Sequence, residues 1–143
     1  MALTLSRLAQ ILAEAGSRIH DVNPPASELI FSVPQLAMDC PVRARLEQGG
    51  ELLRLGVQVA TCSPSHLRFA DMLRRLASLN RSHGVIRLGW SESDQAVVAD
   101  ADHWVADTSP TPCQIARLVR SYLTALVACQ LSLRDALNGD EKI

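Results

Sequence analysis

The stretch Val42-Arg43-Ala44-Arg45-Leu46-Glu47-Gln48-Gly49-Gly50-Glu51-Leu52-Leu53-Arg54-Leu55-Gly56-Val57-Gln58-Val59 decides how this chain is read. Val42, Ala44 and Leu46 alternate with Arg43, Arg45 and Glu47. Leu53, Leu55, Val57 and Val59 alternate with Arg54 and Gln58. A period of two is the mark of a strand with one face buried. A two-residue Gly49-Gly50 turn has the backbone freedom that primed hairpin turns require. It sets Leu46 opposite Leu53, Ala44 opposite Leu55 and Val42 opposite Val57. All three pairs are apolar and share a face, so turn chemistry and hydrophobic pattern specify one register. The same register sets Arg45 opposite Arg54, with Arg43 on the same outer face. Like charges facing each other across strands disfavour pairing. Arg43, Arg45 and Arg54 are therefore expected either to be softened by Glu47 and solvent or to meet an acidic protein partner.

Upstream, Leu5, Leu8, Ala9, Leu12 and Ala15 fall at helical spacing, with Thr4 as cap and Gly16 as stop. A turn-rich stretch around Asn23-Pro24-Pro25 follows. Leu29, Phe31 and Val33 then alternate as a strand that Pro34 ends. Downstream, Ser63-Pro64 reads as the start of a second helix. Its buried stripe is Phe69, Met72, Leu73, Leu76 and Leu79. A second hairpin follows: Ile86, Leu88 and Trp90 share a face, Ser91-Glu92-Ser93-Asp94 turns, and Val97, Ala99 and Ala101 return. Thr111, Pro112 and Gln114 form the capping box of a long last helix that Gly139 stops. The expected fold is α+β, one domain over residues 1–143. An antiparallel sheet of two hairpins plus a strand is flanked by three helices.

Composition bounds the function. Of 143 residues, 48% are hydrophobic, enough to build a core. The net charge of −1 gives no global attraction to nucleic acid or to an anionic membrane. The start, Met1-Ala2-Leu3-Thr4, has no basic segment leading into an apolar run, so no signal peptide is expected and the chain is assigned to the cytoplasm. Cys40, Cys62, Cys113 and Cys129 are widely spaced and are expected to be reduced thiols. No apolar run is long enough to span a bilayer.

Sites for chemistry are sparse. His20, His66, His83 and His103 lack metal-ligand spacing. Asp100, Asp102 and His103 come nearest to a cluster, but on a strand the two aspartates share a face and His103 takes the other. Ser65-His66 and Ser82-His83 are chain neighbours, which does not make them a nucleophile and its base. Neither a phosphate-binding loop nor a dinucleotide fingerprint occurs. Catalytic, metal and cofactor residues are thus expected to be none.

The last helix carries two apolar stripes. Ile115, Leu118, Tyr122, Leu126, Cys129, Leu133 and Leu137 form one, enough to bury it on its own domain. Val119, Leu123, Val127 and Leu131 form a second, read as a dimer interface.

In order of elements the chain resembles the YbjN family of bacterial proteins, whose fold is similar to that of type III secretion chaperones. The features that carry the resemblance are the helix Leu5–Ala15 ending at Gly16 and the middle helix ending Ser78-Leu79-Asn80-Arg81. The hairpin Val85–Ala106, the short Asp107–Pro110 loop and the long helix from Pro112 complete it. The resemblance implies a homodimer without cofactor or enzymatic activity, acting in a regulatory or chaperone-like role through contacts with another protein. The alternative is a nucleic-acid-associated accessory protein, acting directly or through a DNA-binding partner.

Overall fold

The computed structural model describes residues 3–33, 41–105 and 112–139. In chain order these form α1 (Leu5–Glu14), β1 (Arg18–Asn23), β2 (Glu28–Ser32), β3 (Val42–Glu47) and β4 (Leu52–Thr61). Then come α2 (Phe69–Ser82), β5 (Arg87–Ser91), β6 (Ala96–Trp104) and α3 (Pro112–Asn138). The strands make one sheet in the order β1-β2-β3-β4-β6-β5. The pairs β1–β2, β2–β3, β3–β4 and β5–β6 are antiparallel. The fold is therefore α+β as expected, with one strand more than the sequence pattern announced. The chain divides into two compact units, Met1–Val57 with Ala101–Ser121 and Gln58–Asp100 with Tyr122–Ile143.

In the first unit the hairpin register is the expected one: Ala44 faces Leu55, Arg45 faces Arg54 and Leu46 faces Leu53. The turn differs. Pairing stops at Glu47 and Leu52, and Gln48–Gly50 forms a 3-10 turn in place of a two-residue turn. Gln48, Gly49 and Gly50 all take positive φ, at 55°, 67° and 89°. The longer loop is centred on the same point, between Gly49 and Gly50, so the register survives. Val42, Ala44, Leu53 and Leu55 are buried on the inner face beside Leu29 and Phe31 of β2.

Helix α1 starts where Thr4 accepts a hydrogen bond from the Arg7 amide at 3.1 Å. It ends with Gly16 at φ +95°, the left-handed position that glycine occupies without strain. There the Ser17 amide donates to Leu12 and the Gly16 amide to Ala13, closing the last carbonyls. Leu8, Ile11 and Leu12 are buried, and α1 packs on β1 and β2.

Strand β1 has no counterpart in the sequence pattern, which shows only a turn-rich stretch around Asn23-Pro24-Pro25 there. It lies at the edge of the sheet, and its register with β2 slips between Ile19 and Asp21. A bulge and charged side chains on an edge strand discourage a further strand from adding there.

In the second unit Ser63-Pro64 does not start α2. The Ser63 carbonyl accepts from the His66 amide in a separate turn, and the helix begins at Phe69. Met72 and Leu79 are buried, whereas Leu73, expected in that stripe, is 36% exposed. Phe69 meets Trp90 edge to face, with ring centroids 4.9 Å apart. The second turn is one residue later than expected, since Ser91 still pairs with Ala96.

Edge strand β5 is closed differently from β1. The Asn80 side chain accepts from the Leu88 amide at 2.7 Å and donates to the Leu88 carbonyl at 2.8 Å. One amide side chain thus satisfies both backbone groups that a neighbouring strand would otherwise meet. Helix α3 is tied to the strands through Tyr122, whose hydroxyl donates to the Ala99 carbonyl at 2.8 Å, and Gln130, whose amide donates to the Val59 carbonyl at 3.2 Å. Gly139, at φ +77°, follows its end. The expected Thr111 cap lies outside the described residues.

Candidate functional site

The three arginines read from the sequence do share one outer face, but they are not a bare positive patch. Glu28 of β2 stands between Arg43, at 2.8 Å, and Arg45, at 3.0 Å. Glu47 reaches both Arg45, at 3.8 Å, and Arg54, at 3.1 Å. Asp102 of β6 then takes the Arg54 Nε at 2.8 Å. The result is a ladder of alternating sign across the strands. It explains how Arg45 can face Arg54: one carboxylate lies within reach of both guanidiniums. Arg45 is held through its terminal nitrogens, and its Nε is buried without a hydrogen-bond partner.

The like charge of Arg43, Arg45 and Arg54 is thus screened within the chain and by itself calls for no acidic partner. Glu47 was legible as a neighbour on the strand. Glu28 and Asp102 were not, because they are distant in sequence and only sheet pairing brings them in.

Helix α3 also divides differently from the sequence reading. Ile115, Tyr122, Leu126, Cys129 and Leu133 are buried, as the first stripe requires. Of the second stripe, Val119 and Leu123 are only 5% and 6% exposed in the single chain. They are buried within the single chain, which does not leave them exposed for the expected dimer contact. Val127 is half-buried and Leu131 is 52% exposed. Leu131 lies nine residues from Tyr122, about two and a half turns at 3.6 residues per turn, and therefore on the opposite side of the helix. Leu67, before α2, is 93% exposed.

Reactive chemistry is poorly supplied. Burial pushes the Cys62 and Cys129 thiols up, which keeps them protonated and weakly nucleophilic. Cys40 lies outside the described residues. Among the described residues, no group of three His, Cys, Asp or Glu is placed to hold a metal ion. Among the same residues, no helix is long and apolar enough to cross a membrane.

Burial, and then the Asp100 carboxylate, hold the Tyr122 proton well above the usual tyrosine range. Its folded-state affinity for that proton exceeds that of the unfolded chain. The associated stability is complete below about pH 10, where an unfolded tyrosine ionises, and declines as pH rises further. Tyr122 is the only tyrosine, so phenolate absorbance reports it alone. In a titration of the native protein, that absorbance is expected to rise only together with unfolding. Denaturant curves above about pH 10 should show a loss that Tyr122→Phe removes.

Comparison with known proteins gives a family and a shared fold. Residues 4–134 match the YbjN family, described as "Putative bacterial sensory transduction regulator". The crystal structure of YbjN, "a putative transcription regulator from E. coli", superposes with a TM-score of 0.71 at 17% identity, covering 92% of this chain and 91% of that one. A chain of the HopA1-SchA chaperone–effector complex superposes with a TM-score of 0.57 at 9% identity, covering 87% of this chain and 90% of that one. At these identities the two structures show a shared fold. No curated protein matches the sequence.

Proposed function

This chain belongs to the YbjN family, and from that premise we propose that it is a non-enzymatic, dimeric protein-binding module with a regulatory or chaperone-like role in a bacterial cytoplasm. The observation that carries this reading is a single exposed leucine, Leu131, on the side of α3 opposite its buried stripe. Leu131 is 52% exposed and faces away from the buried stripe, with half-buried Val127 one turn before it. One exposed leucine is common on protein surfaces, so the reading rests on it together with the family and the fold. The chaperone–effector complex among the similar structures supports a protein as the kind of partner.

A second reading, action on transcription through nucleic acid or a DNA-binding protein, draws on the description of the E. coli relative. Salt separates the two, because binding to DNA weakens steeply as salt rises.

The test is purification of the tagged chain from its own host, followed by titration of each captured protein against the purified chain. A saturable complex that Leu131→Glu weakens is expected. Captured material consisting only of DNA, released as salt is raised, would favour the second reading. Capture that is the same with Leu131→Glu would remove the α3 surface from the proposal.

A further inference from the structure

Within the second unit, an open cleft of about 240 Å³ lies between α2 and the end of α3. Arg68, Arg74 and Arg75 all line it, with Asp71, Asp135 and Gly139. The guanidiniums outnumber the carboxylates. Arg68 and Arg74 share Asp71, at 3.4 and 2.8 Å. Arg75 instead donates to the Ser132 hydroxyl at 2.9 Å and the Ser132 carbonyl at 3.3 Å. In all three, the nitrogen engaged is Nη1. Among the described residues, their Nε and Nη2 hydrogens have no acceptor.

The surroundings reinforce this. Residues 68–82 and 122–143 hold five arginines and Lys142 against four acidic residues (Asp71, Asp135, Asp140, Glu141), in a chain whose net charge is −1. A modest positive excess therefore lies in these segments, and a cleft focuses its field on small anions. Gly139 leaves room for the Arg68 guanidinium: a Cβ there would lie 2.7 Å from Nη2.

We propose that this cleft binds a small oxyanion of the phosphate class. A carboxylate presents two oxygens and matches one guanidinium fork, whereas a phosphate presents three or four and can accept from several guanidiniums at once. The inference is independent of the protein-binding reading and concerns a different surface from that around Leu131.

The experiment is an amide NMR titration of the intact chain with inorganic phosphate, then pyrophosphate, at constant ionic strength. Saturable shifts clustered in residues 68–78 and 132–139 are expected, with pyrophosphate binding more tightly. Arg74→Gln, a side chain 77% exposed, should weaken binding roughly tenfold, the scale of one hydrogen bond to a charged group. Asp71→Asn removes the carboxylate that competes for Arg68 and Arg74 and should tighten binding, a gain that misfolding cannot mimic. Linear shifts matching those of added chloride would overturn the proposal, as would weaker binding in Asp71→Asn. A saturable response to a glutamate-rich peptide with none to phosphate would overturn it in favour of an acidic protein segment.

Discussion

Glutamate in place of Leu123 is expected to unfold the chain, whereas glutamate in place of Leu131 is expected to leave it folded. Leu123 is 6% exposed in the single chain, and Leu131 is 52% exposed. A carboxylate forced into the first position has no partner, and burying it costs several kcal/mol, roughly 4 or more. That is a large part of the ~5–15 kcal/mol that holds a domain of this size together. At Leu131 the carboxylate stays in water, and the change in monomer stability should be within about 0.5 kcal/mol. If α3 pairs two copies, Leu131→Glu converts a dimer of two 15.6 kDa chains to a folded monomer. Denaturant unfolding followed by circular dichroism, together with light scattering at micromolar concentration, reads both outcomes. A folded Leu123→Glu variant would contradict its placement in the core. A native protein that scatters as a monomer would remove the dimer from the proposal.

Reversing the three arginines of the first hairpin should have the next largest effect. In Arg43→Glu/Arg45→Glu/Arg54→Glu, three new carboxylates would join Glu28, Glu47 and Asp102 on one face. Each native pair is partly exposed and worth only about 0.2–1 kcal/mol. Reversal, however, removes five contacts and replaces attraction with repulsion across neighbouring strands, and Glu28 is only 15% exposed. A loss of roughly 3 kcal/mol is expected at low salt, and less at high salt. The neutral triple variant with glutamine should lose much less. Equal stability of the two variants would mean that the ladder carries no net electrostatic contribution. The size of the loss comes from Glu28 and Asp102, which pair with these arginines across the strands.

Much of this chain was legible without coordinates where local chemistry and long-range pattern agree. The first hairpin is the clearest case. Its alternation and its Gly49-Gly50 centre specify the same pairing, and the pairing held even though the turn is longer than expected. The ends of α1 and α3 were legible for a similar reason: Thr4, Gly16 and Gly139 act on their immediate neighbours. The family resemblance rests on this same order of elements.

What escaped the sequence was decided by contacts between distant residues. Strand β1 has no alternation to read, because an edge strand is largely exposed on both faces and its bulge resets the period between Ile19 and Asp21. The ladder depends on Glu28 and Asp102, which sheet order alone brings to the arginines. The role of Asn80 depends on Leu88, which only the tertiary fold brings beside it. By itself the sequence determined the elements, the hairpin register and which residues are apolar. Only the tertiary structure decided which of those apolar and charged residues are already partnered, since burial and ion pairing depend on what the rest of the chain places opposite each side chain. That is why Val119 and Leu123 fall in the core, while Val127 and Leu131 remain toward solvent on the same helix.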